Sequence, residues 1–124
     1  MPLTQLTVSL SSTYYVHDEQ DGYVRPGDDN SLWWTAYILG SEDQILLDPG
    51  QFIGVRSQET VTVFDPFVVT AHPNFGELSL NVLRSRPRDI DSSDYYYFTI
   101  TNLGNDSVAL MAGDVFAHVT HYDG

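Results

Sequence analysis

The sequence predicts an all-β fold, organised as a jelly roll or a small β-barrel. Short runs of alternating or β-branched apolar residues recur along the chain, which is the pattern of half-buried strands. Proline, glycine, asparagine and aspartate separate these runs and are typical of turns. No long segment has the 3.6-residue period of an amphipathic helix. We therefore expect residues 1–124 to form one all-β domain with a single core.

The expected strands follow one another closely. In chain order they cover residues 3–10, 32–39, 44–47, 51–56, 60–64, 67–72, 77–83, 95–101, 107–111 and 115–121. Pro49-Gly50 and Gly113-Asp114 are expected in tight turns, because proline fixes φ and glycine permits a positive φ. Residues 17–30 and 84–94 are rich in charge and are expected to be exposed loops.

The charge of the chain is strongly negative. Seventeen acidic residues face five arginines and no lysine, which gives a net charge of −12. A nucleic-acid-binding protein needs a basic surface for the phosphate backbone, so we expect no nucleic-acid partner. One interpretation is ordinary solubility through excess charge. The other is adaptation to high salt, where a Debye length of about 3 Å screens the repulsion between carboxylates. We favour the halophilic interpretation.

Several classes of protein are not expected. No stretch approaches the 18 apolar residues of a membrane span, and residues 1–5 lack the pattern of a secretory signal. Without cysteine the chain forms no disulfide and no thiolate metal site. We expect no cofactor and no membrane partner.

The stretch from Ile45 to Val119, about 60% of the chain, carries motifs similar to those of one known family. They are residues 47–52 (Leu-Asp-Pro-Gly-Gln-Phe), 57–61 (Ser-Gln-Glu-Thr-Val), 89–95 (Asp-Ile-Asp-Ser-Ser-Asp-Tyr), 100–105 (Ile-Thr-Asn-Leu-Gly-Asn) and 111–119 (Met-Ala-Gly-Asp-Val-Phe-Ala-His-Val). This series resembles the trimeric dUTPase / dCTP deaminase superfamily. The resemblance implies a dUTPase-like β-barrel that assembles as a homotrimer.

The motifs that carry the family's chemistry match less well. The arginine-serine motif for phosphate is nearest at Arg84-Ser85-Arg86, but Pro87 follows where a small residue belongs. The glycine-tyrosine-aspartate-leucine motif and the glycine-rich phosphate arm have no counterpart in this sequence. The resemblance therefore implies a barrel without the nucleotide chemistry, and we predict no catalytic residues.

One polar loop carries both candidate metal ligands and candidate docking residues. Carboxylates at this spacing could hold Mg²⁺ or Ca²⁺, although a solvated acidic loop is the favoured interpretation of Asp89, Asp91 and Asp94. Arginine suits bidentate pairing with carboxylate or phosphate. We expect a docking patch for an acidic partner or a neighbouring subunit at Arg84, Arg86 and Arg88, with a phosphate clamp as the less favoured alternative.

Adjacent aromatic residues send side chains to both faces of their strands. One face is core, and the other is solvent, a ligand or a partner. A protein interface is therefore expected at Trp33, Trp34, Tyr95, Tyr96 and Tyr97. The remaining candidates for ligands or bases are His17, His72, His118 and His121. The last two, three residues apart on one strand, are expected on opposite faces and not in a joint metal site.

These observations favour a non-enzymatic structural or interaction protein. The most concrete hypothesis is a trimeric capsid decoration (cement) protein, or another virion protein, of a virus that infects a halophile, with a capsid shell as its partner. The alternatives are a divergent dUTPase/dCTP deaminase-like nucleotide hydrolase and a carbohydrate-binding module. The expected location is the virion, with the cytoplasm as the alternative.

The excess of carboxylates makes a prediction about salt. The midpoint of thermal unfolding should rise between about 0.1 M and about 2 M NaCl, because screening removes repulsion among the acidic side chains. Melting curves at the two concentrations measure the shift. A flat or falling midpoint would identify the acidity as ordinary solubility.

Overall fold

The computed structural model describes residues 3–29, 33–61, 67–85 and 94–122. These residues form nine strands and one short helix. In chain order they are β1 (Leu3–His17), β2 (Trp34–Ile38), β3 (Ile45–Leu47), β4 (Phe52–Thr60), β5 (Phe67–Ala71), α1 (Pro73–Gly76), β6 (Leu80–Arg84), β7 (Tyr95–Asn102), β8 (Val108–Leu110) and β9 (Val115–Tyr122). The all-β prediction is confirmed.

Six strands form a nearly closed, barrel-like sheet in the order β5-β9-β1-β4-β7-β6, with antiparallel neighbours throughout. The end strands β5 and β6 approach each other. The long strand β1 pairs with β9 over Leu3–Ser9 and with β2 over Thr13–His17. β3 and β8 form a separate two-stranded sheet. Among the described residues, no helix is long and apolar enough to cross a membrane.

The core lies inside the barrel and takes side chains from nearly every strand. Two phenylalanines mark its centre, since Phe98 and Phe116 are almost fully buried and their rings meet edge to face at 5.2 Å. Around them pack Val8, Leu10, Ile53, Val55, Leu80, Ile100, Leu110 and Val119. Alternate residues of the strands enter this core, as the period of two in the sequence predicts.

Two predicted turns form as expected. In the first, Gly50 has φ +84° and Gln51 N–H donates to the Asp48 carbonyl at 3.0 Å. In the second, Gly113 has φ +93° and Asp114 N–H donates to Met111 at 3.2 Å. Both have the pattern of a type II turn, in which glycine takes the position that needs a positive φ.

Three strands differ from the prediction by three residues or more at one end. β1 continues seven residues beyond Leu10, because β2 and β4 pair with its second half. β4 runs on to Thr60 instead of ending at Arg56. Of the strand predicted over 60–64, Thr60 belongs to β4, and residues 62–64 lie outside the described residues. The strand predicted over 77–83 begins only at Leu80, since α1 lies before it, with Pro73 in its first turn and the His72 side chain as N-cap.

Asn102 ties the end of β7 to two other segments. It is fully buried, and its amide nitrogen donates to the carbonyls of Leu47 (2.9 Å) and Asp106 (2.8 Å). Its side-chain oxygen accepts from Gly104 N–H at 2.9 Å. One side chain therefore holds β3 and the turn after β7 in place.

Replacing Asn102 should lower the stability of the fold. Asn102→Ala leaves buried backbone groups without their partners, and we expect a loss of about 3 kcal/mol in the free energy of unfolding. Urea denaturation measures it. The control is Asn105→Ala at an exposed position in the same turn. Equal effects of the two substitutions would contradict this role of Asn102.

Candidate functional site

The sheet carries a second aromatic layer on the face turned away from the core. The register places Tyr15 opposite Gly54, and Tyr97 opposite Arg56. Val55 is 2% exposed and packs in the core, so its neighbours along β4 point to the other face. We call this side of β1, β4 and β7 the outer face.

Four rings cluster at one end of the outer face. The centroid of His17 lies 4.8 Å from that of Trp34, 5.8 Å from that of Trp33 and 5.8 Å from that of Phe52. Trp34 and Phe52 meet edge to face at 6.2 Å. These separations lie in the range of attractive aromatic pairs. We call these four residues the His17 cluster.

Gly54 joins the His17 cluster to the rest of the outer face. A β-carbon at this position would lie 3.2 Å from Tyr15 Cβ and 3.4 Å from Trp34 Cζ3. Only a residue without a side chain leaves this much room for the Trp34 ring beside the strand. The aromatic surface therefore continues from Trp34 to Tyr15 without a gap.

The second half of the outer face contains three tyrosines and an arginine. The ring centroids of Tyr15 and Tyr97 are 6.4 Å apart, and both side chains are 7% exposed. The Arg56 guanidinium lies over the Tyr95 ring, 4.2 Å from its centroid. Burial raises the pKa of Tyr15, and the neighbouring Tyr97 raises it further, whereas the Arg56 charge lowers it.

Buried donors without acceptors are concentrated on this face. Arg56 donates from Nη2 to the hydroxyls of Ser11 (3.3 Å) and Thr13 (3.4 Å). Its Nε and the Trp34 Nε1 are buried and have no hydrogen-bond partner. Among the described residues, no other buried side-chain donor lacks a hydrogen-bond partner. Each costs about 1–3 kcal/mol, and such groups need an explanation, which function often supplies.

A cleft opens beside the His17 cluster. Its volume is about 430 Å³, within the range of sites for small ligands. The loop after β1 forms one wall and the start of β4 the other. The lining residues are His17, Glu19, Gln20, Gly22, Val24 and Phe52.

The serine-x-glutamate segment named by the family resemblance connects strands. Ser57 is fully buried; its hydroxyl donates to the Glu59 carbonyl at 2.7 Å and accepts from Tyr96 N–H at 3.0 Å. The Glu59 carboxylate accepts from the Ser9 N–H and from the Ser9 hydroxyl, both at 2.8 Å. Both of its oxygens are therefore used in holding β1 to β4.

The four histidines fall into three environments: His17 in its cluster, His72 beside His118, and His121 in the core. His121 is buried and its Nε2 lies 2.7 Å from the Tyr96 hydroxyl, whereas His118 is half-buried and lies 5.3 Å from the His72 ring. The expected placement of His118 and His121 on opposite faces is confirmed. His72 Nδ1 accepts from Asn74 N–H at 3.1 Å. In the described parts of the chain, no three His, Asp or Glu side chains are placed to hold a metal ion.

The predicted aromatic interface is only partly available at the surface. Trp33, Trp34 and Tyr95 are half-buried. Tyr96 faces the core and is 3% exposed, and Tyr97 lies on the outer face but is 7% exposed. The expectation of a partner contact needs correction for Tyr96 and Tyr97, because the chain itself covers both rings.

The predicted charged sites lie mostly beyond the described residues. Arg84 is exposed, and its guanidinium lies over the Phe67 ring at 4.2 Å. Asp94 is exposed, and its carbonyl accepts from Val61 N–H at 2.7 Å. The four candidates outside the described residues are Arg86, Arg88, Asp89 and Asp91.

Sequence reasoning missed several residues of the outer face. Phe52 and Arg56 appear in the sequence only as parts of a strand, and His17 only as one of four histidines. One feature of the sequence could have identified them: Phe52, Gly54 and Arg56 are two residues apart in turn, which places them on the same face of a strand. The same spacing places Tyr15 and His17 on one face, because β1 extends to His17.

Comparison of the chain with protein-family models and with curated proteins finds no match. The resemblance to the dUTPase / dCTP deaminase superfamily stays a prediction. The geometry itself shows a partly exposed aromatic ring and a cleft, with the exposed carboxylate of Glu19 in the cleft lining.

Because Tyr15 is buried on the outer face, we expect the fold to lose stability at alkaline pH. Because burial raises the pKa of Tyr15 above the usual value near 10, the unfolded chain releases this proton first. The contribution of neutral Tyr15 to the free energy of unfolding is complete below about pH 10. It is lost as the pH rises through the pKa of Tyr15 in the folded chain. Tyr15→Phe should therefore reduce the fall in unfolding free energy above about pH 10.

Urea denaturation at about pH 8 and about pH 10.5 measures this slope. Tyr23→Phe, at a fully exposed ring, is the control and should leave the slope unchanged. Identical slopes in Tyr15→Phe and in the unaltered chain would show that Tyr15 ionises as freely when folded as when unfolded.

Proposed function

We propose that the chain is a non-enzymatic structural protein that forms a homotrimer and docks onto a larger assembly. In its most concrete form it is a capsid decoration protein of a virus that infects a halophile. The proposal rests on the uncharged edge strand β2, which is exposed in a chain of strongly negative net charge.

The observation that carries the proposal is the edge strand β2. It pairs with β1 on one side, and no strand of the described residues pairs with its other side. Its five residues carry no charge, and Ile38 is 80% and Tyr37 46% exposed. Monomeric proteins protect such edges with charges, prolines or bulges. An unprotected edge in a chain of net charge −12 favours burial against a neighbouring copy, and in a trimer that copy would present a different surface to β2.

Further apolar side chains contribute to the exposed surface. Leu46 on β3 is 68% exposed, and Tyr37 stacks on the Tyr14 ring at 5.5 Å. High salt strengthens the burial of such groups. Closed symmetric contacts between copies would remove them from water, and three-fold symmetry is what the family resemblance implies.

Arg84 supplies a candidate second surface. It is exposed at the end of β6, away from the β1–β2 pair. Arginine pairs well with carboxylates, so an acidic shell is the partner that suits it. Arg86 and Arg88 belong to the predicted docking patch on sequence grounds and lie outside the described residues.

The alternative of a nucleotide hydrolase is less favoured. A catalytic carboxylate must be within reach of its substrate and have an oxygen available for the proton it transfers. Both oxygens of Glu59 accept hydrogen bonds from Ser9. A structural role for the serine-x-glutamate segment therefore accounts for its geometry.

Assembly through β2 predicts the behaviour of one substitution. The unaltered chain in about 2 M NaCl should have three times the mass of the chain by light scattering after size exclusion. Ile38→Glu should give a monomer, because a carboxylate buried without a partner costs about 3 kcal/mol at each contact. The position is exposed, so the fold should tolerate the change.

The matched control is Leu83→Glu, which adds the same charge at a 60% exposed leucine on β6. It should remain a trimer. A monomeric unaltered chain would refute the assembly. Dissociation of both variants to the same extent would place the contact elsewhere than β2.

A further inference from the structure

The cleft beside the His17 cluster has an apolar wall that is accessible to a ligand. Phe52 is 43% and Val24 49% exposed, although both side chains are apolar. Phe52 is held in position by its contacts with Trp34 and His17. The cleft therefore offers a fixed ring face and, at about 430 Å³, enough space to admit one side chain of a partner.

The polar groups at the cleft mainly accept hydrogen bonds. Glu19 is exposed and contributes a carboxylate. The Gln20 amide nitrogen already donates to the Asp18 carbonyl at 2.9 Å, and its side-chain oxygen can accept hydrogen bonds. Residues 18–29 contain five acidic side chains and one arginine. Charge complementarity therefore favours a ligand that donates hydrogen bonds and carries positive charge.

The chain itself shows how it accommodates a guanidinium. Arg56 lies over the Tyr95 ring and Arg84 over the Phe67 ring, each 4.2 Å from the centroid. A cation over a ring face at this distance is an attractive contact. Two of the three arginines in the described residues thus stack on aromatic rings. The Phe52 face, with Glu19 nearby, offers an external guanidinium the same contact together with a carboxylate.

We propose that the His17 cleft binds the guanidinium group of an arginine side chain presented by a partner protein. The guanidinium would lie on the Phe52 ring and donate hydrogen bonds to the Glu19 carboxylate and the Gln20 carbonyl oxygen. This goes beyond the proposed function and does not depend on it, since the cleft is formed by a single chain. A neutral sugar ring is the competing ligand, because it would also stack on Phe52.

The two tryptophans of the chain report on this cleft. Trp33 and Trp34 are the sole tryptophans, and both contact His17. Titration of the purified chain with N-acetyl-arginine amide should give a saturable change in tryptophan fluorescence. N-acetyl-citrulline amide has the same shape without the charge and should bind about tenfold more weakly, as expected for loss of a charged contact.

Two charge variants and one ring variant locate the binding. Glu19→Gln should weaken arginine binding about fivefold, whereas Glu42→Gln, which removes an exposed acid outside the cleft lining, should leave it unchanged. Phe52→Leu should weaken it as well. A thermal melt of each variant confirms folding, and light scattering records the oligomeric state separately, so failure of the trimer and failure of the cleft are distinguished.

Four results would overturn the proposal. The first is equal affinity for the arginine and citrulline compounds, and the second is an equal loss of arginine affinity in Glu19→Gln and Glu42→Gln. The third is the absence of any saturable fluorescence response to the arginine compound. The fourth is a saturable response to glucose or mannose without one to the arginine compound. The last would assign the cleft to a carbohydrate.

Discussion

Contact between the Trp34 ring and the bare backbone of Gly54 determines how the outer face is built. A β-carbon at residue 54 would already lie 3.2 Å from Tyr15 Cβ and 3.4 Å from Trp34 Cζ3, so a residue larger than alanine would displace the ring. His17 and Phe52 pack against that ring and would lose their support. A glycine in a strand costs about 0.5–1 kcal/mol relative to alanine. Burial of part of an indole can offset that cost, and the cleft wall is its consequence.

The sequence predicted those parts of the fold that depend on local chemistry. The turns at Pro49-Gly50 and Ala112-Gly113 need a positive φ at glycine, and both form. The errors occurred where pairing between distant segments decides the structure. β1 extends beyond Leu10 because β2 pairs with Thr13–His17 and β4 with Tyr14 and Tyr15. The polar residues 11–13 interrupt the apolar pattern and hide this extension in the sequence.

The site was harder to predict than the fold, for a geometric reason. Adjacent aromatic pairs identify strands with large side chains on both faces, and this marked Trp34 and Tyr97. The register decides which ring is covered, since Tyr15 from β1 reaches Tyr97 on β7 across the intervening strand β4. His17 and Phe52 are 35 residues apart in the sequence, and only the pairing of β1 with β2 and β4 brings them together. Neither composition nor spacing contains that information.

Salt changes which of these surfaces can recognise a partner. At about 1 M salt the Debye length is about 3 Å, so attraction between distant charges is screened while groups in contact still interact. Apolar association strengthens under the same conditions. The uncharged edge of β2 and the Phe52 ring face both act at contact range. The guanidinium–ring pairs of Arg56 and Arg84 also act at contact range. An acidic chain in high salt would therefore gain its selectivity from rings, strand edges and single well-placed carboxylates such as Glu19, while the remaining carboxylates keep the surface hydrated.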